Sequence, residues 1–245
     1  MYPNDLFKLA AMFDVAGLRS SPDVRKIITR SGSRVRTMLF CNRYSEPRLS
    51  HESAGEKRHS RACMLSPSVL DLRTQPLVLN VPGGPDLADF PYTPDARALV
   101  RPTGSAEAFD VLVECKDDLD YLKDPLLAPR LVRVTEVLAR IGIHFVVVTE
   151  ADLPESLDFN LNELQRHRKH LGSEEGLLFL RNTLATNTFE VFGDLVAKVG
   201  RVRALHALAS RQIHFDHFEK LSDSSRLFSS LTEDRDAARH LYAGI

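Results

Sequence analysis

Two short motifs in the middle of the sequence carry acidic and basic groups at a spacing that suits phosphodiester hydrolysis. The first is Pro94-Asp95, and the second is Glu114-Cys115-Lys116. Side chains two positions apart on a strand share a face, so Glu114 and Lys116 would project together and Cys115 would point to the opposite side. Asp95 falls in the segment predicted as the preceding strand. The motifs therefore predict two carboxylates and an ammonium in one site.

Two carboxylates that converge favour Mg²⁺ or Mn²⁺, because these hard cations prefer oxygen ligands. Such a cation polarises a phosphate oxygen and lowers the pKa of a bound water. We predict Asp95 and Glu114 as ligands, with the backbone carbonyl of Cys115 as a third. Lys116 would orient the attacking water or neutralise charge on the phosphate. The alternative is an exposed edge strand without any site, since a Glu-x-Lys fragment often occurs by chance.

The overall composition is that of an ordinary globular protein, but the charge is unevenly distributed. The 245 residues are 43% hydrophobic and 27% charged, with a formal net charge of -1. Positions 18–61 contain eleven basic and four acidic residues, whereas positions 86–124 contain ten acidic and four basic residues. A basic flank beside an acidic centre suits a polyanion held next to bound cations. Ordinary solvated faces would explain the same charges equally well.

Several classes of protein are disfavoured by the sequence. No apolar run approaches the roughly 18 residues of a membrane span, and the first residues lack the apolar stretch of a signal peptide. We therefore expect a soluble cytoplasmic protein with no membrane partner. Cys41, Cys63 and Cys115 are widely spaced and form no CxxC motif. This spacing argues against a disulfide framework and a zinc knuckle, and it predicts reduced packing residues.

The elements that would position the motifs form a predicted α/β domain. Strands are predicted at 36–44, 69–80 with a break at Gln75-Pro76, 93–100, 109–116 and 143–149. Helices are predicted at 4–16, from a Ser50 cap through Glu56 to Met64, and at 125–141 before Gly142. Strand, amphipathic helix and buried apolar strand over 109–149 form a βαβ unit, which requires a parallel pair. These elements predict a mixed sheet with helices on its faces.

Beyond residue 153 the pattern changes to helices, predicted at 157–171, 174–184, 189–199 and 203–210, with a short strand at 212–215. We divide the chain into an N-terminal helical and basic segment (1–35), a catalytic domain (36–153) and a smaller helical C-terminal domain (154–245). The last helices and the strand are compatible with a winged-helix-like module. The basic residues at 166–170 would contact DNA phosphate or form a solvated face. Residues 214–217, with two histidines, are predicted as a strand edge rather than a zinc site.

The order of these motifs and elements resembles the PD-(D/E)xK nuclease superfamily, which implies a restriction-endonuclease-like mixed sheet flanked by helices. More narrowly, residues 36–153 resemble the catalytic domain of TnsA-type endonucleases, the partner subunits of heteromeric transposases. That family has a glutamate on its first core helix. A Val-Leu-Asp-Ile-Arg-type strand begins thirteen residues later and leads into Gln and Pro. Here Glu56 lies thirteen residues before Val69, and residues 69–76 match that continuation.

The resemblance implies a site with Glu56 as the helix-borne acid, Asp95 as the central metal ligand, Glu114 as a further ligand, and Lys116. Glu52 lies one helical turn before Glu56 and is the alternative ligand.

Three further residues lie close to the matched motifs. Gln75 is implied to support the site from behind the ligands. His51 and His59 flank the glutamates; a ligand role is conceivable, and packing is the expected role.

The function implied by the resemblance is that of a DNA endonuclease subunit dependent on Mg²⁺ or Mn²⁺. It would hydrolyse a phosphodiester at transposon ends, on the strand that its DDE-type transposase partner leaves uncut. Double-stranded transposon-end DNA and an AAA+ regulator are further implied partners. The implied location is the bacterial cytoplasm, with the complex associated with the nucleoid. The alternatives are a stand-alone restriction or repair nuclease, which cuts without a partner, and a non-catalytic DNA-binding or assembly module.

Overall fold

The protein is a mixed α/β chain, as its sequence predicts. The computed structural model describes residues 19–21, 37–41, 43–101, 105–153, 155–167, 174–232 and 235–242. Its strands are β1 (Arg19–Ser21), β2 (Thr37–Phe40), β3 (Arg48–His51), β4 (Val69–Thr74), β5 (Val78–Val81), β6 (Phe90–Tyr92), β7 (Ala96–Val100), β8 (Phe109–Cys115), β9 (His144–Val148), β10 (His214–Phe215) and β11 (Leu227–Phe228). Its helices are α1 (Ala54–Leu65), α2 (Asp118–Lys123), α3 (Leu127–Arg140), α4 (Glu155–Gln165), α5 (Glu174–Thr186), α6 (Phe192–Val199), α7 (Arg201–Ala209) and α8 (Ala237–Leu241). The helix predicted at 4–16 and positions 168–170 of the basic cluster lie outside the described residues.

The chain divides into two compact units. The first contains the residues up to 60 together with 69–150, and the second contains 61–68 together with 151–244. The sequence-based division at 153 differs from this grouping, because Arg61–Ser68 belongs to the second unit. Arg61 Nη1 lies 2.7 Å from Asp158 Oδ1, and Ser66 Oγ donates to Asp236 Oδ2 at 2.5 Å. These contacts bring Arg61–Ser68 into the second unit.

A four-stranded mixed sheet in the order β4-β7-β8-β9 forms the centre of the first unit. Strand β7 is antiparallel to both β4 and β8, whereas β8 and β9 are parallel. The connection from β8 to β9 contains α2 and α3, so the predicted βαβ unit and its parallel pair are confirmed. Because β7 and β8 are interior strands, the residues at their ends are held by hydrogen bonds from both sides.

The core of the first unit fixes one face of β8 against α3. Leu112 from β8 packs with Val134, Val137 and Leu138 of α3, and the cluster continues through Leu79 and Phe90 to Ile143. Burial of each large apolar side chain of this kind contributes about 1.5–3 kcal/mol to folding. Helix α3 ends at Arg140, one residue before the predicted end, and the next turn closes at Gly142, whose φ of 71° suits a residue without a Cβ. This packing keeps the end of β8 at a fixed position.

Strand boundaries differ from the predictions at two places. The apolar run 143–149 was predicted as a buried strand, but β9 is the edge of the sheet and His144 on it is exposed. The strand itself is confirmed, but within it only Val148 is buried, so the prediction of a fully buried strand was wrong. The strand predicted over 93–100 begins only at Ala96, so Asp95 lies just outside it. The predicted break at Gln75-Pro76 is confirmed, since β4 ends at Thr74 and β5 begins at Val78.

The second unit is helical, as the sequence predicts, with a short antiparallel pair formed by β10 and β11. Helices α4 to α7 fall within or close to the four predicted ranges. Their buried residues include Leu157 and Leu161 of α4, Phe192 of α6 and Leu205 of α7. Within the described ranges, no helix is both long enough and apolar enough to cross a membrane.

Candidate active site

Glu56 is held at the beginning of α1 by a local cap. The helix begins at Ala54, and the Ser53 hydroxyl accepts a hydrogen bond from the Glu56 N–H at 3.1 Å. The Glu52 N–H donates to Glu56 Oε2 at 2.9 Å. The Ser53 bond satisfies one N–H of the first helical turn, and the Glu56 carboxylate binds the N–H of the residue before the cap. These bonds also restrict the Glu56 side chain to the N-terminal end of α1.

The predicted helix cap and the predicted position of Glu52 are both wrong. Ser50 lies in β3, where it pairs with Met38 of β2, and its N–H donates to Thr74 Oγ1 at 3.2 Å. Ser50 is therefore a strand residue, and Ser53 caps the helix instead. Glu52 precedes the helix and shares no helical face with Glu56.

Asp95 is fixed by hydrogen bonds from both neighbouring strands. Its Oδ2 accepts the Cys115 N–H at 2.8 Å, at the end of β8. Its backbone carbonyl accepts the Gln75 N–H at 2.9 Å, just beyond the end of β4. Gln75 is buried and has a φ of 46°, an uncommon left-handed conformation for a residue other than glycine. Gln75 thus contacts Asp95 through its backbone rather than through its side chain.

The Lys116 ammonium lies where three oxygens converge. Its Nζ is 2.5 Å from Glu114 Oε1, 3.4 Å from the Cys115 carbonyl oxygen and 3.9 Å from Asp95 Oδ2. The backbone of Lys116 extends the parallel pairing, because its N–H donates to the Val148 carbonyl at 2.9 Å. Glu114 and Lys116 therefore project to the same side, as strand alternation requires. The three oxygens are those that the sequence predicts as metal ligands.

Tyr92 belongs to the same cluster and was missed by the sequence reasoning. Its hydroxyl donates to Glu114 Oε2 at 2.6 Å, and its ring makes an edge contact with Phe145. Burial and the charge of Glu114 raise the pKa of Tyr92 well above its usual value, so the hydroxyl remains a donor. The available signal was a tyrosine in a short segment directly before Pro94-Asp95. Both carboxylate oxygens of Glu114 thus have partners.

For Asp95, the repulsion from the neighbouring carboxylates is larger than the attraction from the Lys116 ammonium. Burial, followed by the charge of Glu114, raises the pKa of Asp95 well above its usual value, although Lys116 acts in the opposite direction. Glu56 also adds to this rise, and burial raises the pKa of Glu56 itself. Burial alone would lower the pKa of Lys116, but Glu114 and Asp95 outweigh burial and raise it. The cluster therefore favours added positive charge.

These groups line a cleft of about 600 Å³ that is strongly acidic. Seven of its side chains are acidic and two are basic: Glu52, Glu56, Asp95, Glu114, Asp117, Asp120 and Asp124, against Lys116 and Lys123. Asp117 and Asp120 have a structural role, because they form the capping box of α2. Among the residues that the structure describes, no group of three or more His, Cys, Asp or Glu side chains is placed to hold a metal ion.

The histidines near the motifs are packed groups. His59 is buried, and burial lowers its pKa to about 3, so it is neutral at physiological pH. His51 is also buried, and its Nε2 lies 2.8 Å from Ser60 Oγ. The expected packing role fits both residues. In the second unit, His214 and His217 are also buried, with pKa values lowered to about 4 and about 3 by burial.

The substitution Asp95→Asn should stabilise the metal-free protein at pH 8. A carboxylate whose pKa is raised by folding loses stability as the pH rises through the folded pKa, whereas an amide does not ionise. We expect the variant to melt a few degrees higher in a chelating buffer, since 1 kcal/mol corresponds to about 2–4 °C at this size. The difference should shrink as the pH falls towards 4, where Asp95 of the wild type is protonated in the folded state.

Thermal melts between pH 4 and 8 would measure this difference, with Asp86→Asn as the control, because Asp86 is exposed and lies outside the cleft. A variant that melts below the wild type at pH 8 would contradict the electrostatic description of the cluster.

Comparisons with known proteins give no family for this chain. No protein-family model matches it, and no curated protein does. The positions of Glu56, Asp95, Glu114 and Lys116 in one cleft are therefore the observations from which a function must be inferred.

Proposed function

We propose that this chain is a DNA endonuclease subunit dependent on Mg²⁺ or Mn²⁺. It hydrolyses a phosphodiester at transposon ends, on the strand that a DDE-type transposase partner leaves uncut. The observation that supports this most is the convergence of Asp95 Oδ2, Glu114 Oε1 and the Cys115 carbonyl oxygen on one cationic position. The mixed sheet flanked by helices is compatible with the restriction-endonuclease-like fold that we propose for residues 36–153.

The donor set fits a hard divalent cation. Carboxylate and carbonyl oxygens are the ligands that Mg²⁺ and Mn²⁺ prefer. Burial, followed by the charge of Glu114, raises the pKa of Asp95, and a bound cation would offset both effects. Asp95, Glu114 and the Cys115 carbonyl would hold the cation, with Glu56 as a fourth oxygen ligand. Lys116 lies against these oxygens, so its flexible side chain has to withdraw when the cation binds. A basic side chain that was buried and rigid could not leave these oxygens to the metal ion.

The residues of the chain have separate tasks in the proposed reaction. A cation held by Asp95, Glu114 and the Cys115 carbonyl would supply an electrophile for the phosphate and a water of lowered pKa. The Lys116 ammonium, once it leaves the carboxylates, contacts the attacking water or a phosphate oxygen and neutralises its developing charge. Tyr92 and the Cys115 N–H hold Glu114 and Asp95 in orientation through their hydrogen bonds. Each task follows from a contact at the end of β8.

Glu56 is the helix-borne ligand in this proposal, and Glu52 is not. The charge of Glu56 raises the pKa of Asp95, and the charge of Lys116 in turn lowers the pKa of Glu56. The charge of Glu52 raises the pKa of Glu56 and is not among the main causes of the Asp95 shift. The Glu52 N–H orients Glu56 by donating to its Oε2. Glu52 therefore supports the ligand through its backbone.

Dependence on partners fits the charge of the cleft. Seven acidic side chains around the cleft oppose the approach of a polyanion, and the net charge of the chain is close to zero. A DDE-type transposase that binds the transposon end, together with an AAA+ regulator, would bring the DNA to this subunit. The helical second unit is the part of the chain that we assign to contacts with DNA or these partners.

A non-catalytic DNA-binding or assembly module is the second candidate. It is favoured by the partners that both oxygens of Glu114 already have, and by the lack of a ready group of three ligands among the described residues. In that case the Lys116 ammonium is a permanent counter-ion of the carboxylates. This candidate requires that Mg²⁺ does not bind and that Lys116→Ala leaves DNA and partner binding unchanged.

Nicking of a plasmid carrying a transposon end tests the proposed function. The chain is assayed with a candidate DDE-type transposase and a candidate AAA+ regulator, and without them. We expect Mg²⁺-dependent nicking only in the assembled complex. The rate should fall at least about 100-fold for Asp95→Ala, which removes a ligand of the cation, and for Lys116→Ala, which removes the ammonium that acts on the water or the phosphate. Asp86→Ala, an exposed acidic residue outside the cleft, should cut at the wild-type rate.

Two results of this assay would contradict parts of the proposal. Undiminished cleavage by Asp95→Ala would reject the assigned site. Full cleavage by the purified chain alone would favour the stand-alone nuclease instead.

The assignment of Glu56 over Glu52 has its own test. In the same assay, Glu56→Gln should raise the Mg²⁺ concentration for half-maximal rate by about 10-fold or more, as expected when a group that holds the metal is lost. Glu52→Gln should leave it close to wild type, because Glu52 contributes its backbone N–H, which the substitution retains. The opposite order of effects would make Glu52 the ligand.

A further inference from the structure

A groove beside the acidic cleft has different chemistry. It encloses about 520 Å³ and shares Thr93, Glu114, Lys116 and Leu127 with the cleft. The rest of its lining is aromatic, aliphatic and guanidinium: Phe90, Pro91, Tyr92, Arg130 and Leu131. We call this surface the Arg130 groove. A polymer lying in the groove would pass Lys116 and the carboxylates at the end of β8.

Charge distinguishes the Arg130 groove from the cleft that it joins. The cleft has seven acidic and two basic side chains, whereas the groove has Glu114 against Lys116 and Arg130. Negative potential on the cleft side repels a phosphate backbone, and positive potential on the groove side attracts it. A nucleic-acid strand that reaches Lys116 would therefore approach along the groove.

Arg130 itself has hydrogen-bonding capacity left over. Its Nε is buried and has no hydrogen-bond partner, which is costly for a charged donor. Its Nη1 lies 3.3 Å from Asp124 Oδ2, and the two side chains are 39% and 45% exposed, so this is a weak surface ion pair. The guanidinium also lies 5.8 Å from the centre of the Phe90 ring. An anionic oxygen could replace Asp124 at the exposed Nη end of the Arg130 guanidinium.

We propose that the Arg130 groove holds the DNA strand on one side of the cut phosphodiester. Arg130 donates to a backbone phosphate, and the apolar side chains of Phe90, Pro91 and Leu131 contact the adjoining sugar and base. This inference rests on the proposed function, because it places the cut at Lys116. A phosphate contact positions a strand without selecting a sequence, which suits a subunit whose target is chosen by its partners.

Binding of the full chain to DNA tests the groove without requiring cleavage. A labelled random-sequence single strand and duplex are titrated in Ca²⁺ at several salt concentrations. We expect Arg130→Gln to bind about tenfold more weakly, since it loses a charged hydrogen bond. The slope of log binding constant against log salt concentration should also become less steep, by about 0.9 for the duplex or about 0.7 for the single strand. This is the change expected when one phosphate contact is lost. Arg130→Lys should retain the salt dependence but not the full affinity.

Arg140→Gln is the matched control, because Arg140 is an exposed arginine on the same helix that lines neither the groove nor the cleft. It should bind DNA as the wild type does, and melting temperatures of all variants report whether they are folded. Equal affinity and salt dependence for Arg130→Gln and Arg140→Gln would overturn the inference. A wild-type chain that binds neither DNA would overturn it too.

The two proposals fail in different ways. If binding depends on Arg130 but nicking does not depend on Asp95, the groove stands and the nuclease site is wrong. If nicking depends on Asp95 while Arg130→Gln binds and cuts like the wild type, the groove alone is wrong.

Discussion

The ion pair of Lys116 with Glu114, close to Asp95, is the interaction on which the rest of the site depends. It places one ammonium among carboxylates that burial keeps near each other, and the pKa of Asp95 remains raised even so. The sheet keeps the carboxylates of Asp95 and Glu114 close together. Strand β8 lies between β7 and β9, so the backbone that carries Glu114 cannot move away from the start of β7. Because burial and the charge of Glu114 both raise the pKa of Asp95, ionisation of Asp95 reduces the stability of the metal-free fold. Such a cost is common where a protein holds ligands ready for a cation.

Much of the first unit could be predicted from the sequence, because its signals are local. The apolar stripe of α3 and the glycine that follows it predicted that helix, and the βαβ pattern predicted the parallel pair. Alternation along β8 also predicted that Glu114 and Lys116 share a side. Asp95 meets these residues because β7 begins at the edge of the sheet where its antiparallel neighbour β8 ends.

Other parts of the site depend on contacts between distant residues, which no local pattern reports. Ser50 is a good helix cap by residue type, but its pairing with β2 decides its structure. Tyr92 reaches Glu114 across 22 positions of sequence. Residues 61–68 join the second unit through Asp158 and Asp236, which lie far along the chain. The Arg130 groove likewise combines segments that are separate in sequence.

The central claim is that the oxygens around Lys116 form a divalent-cation site. Its most direct test is a calorimetric titration of the purified chain with Mg²⁺, repeated with Mn²⁺. The account predicts saturable binding to the wild type and to Asp86→Asn, and loss of that binding in Asp95→Asn. It also predicts proton release on binding, since the raised pKa of Asp95 must fall when the cation arrives. No saturable heat in the wild type, or the same binding in Asp95→Asn, would contradict the account and leave Lys116 as a permanent counter-ion.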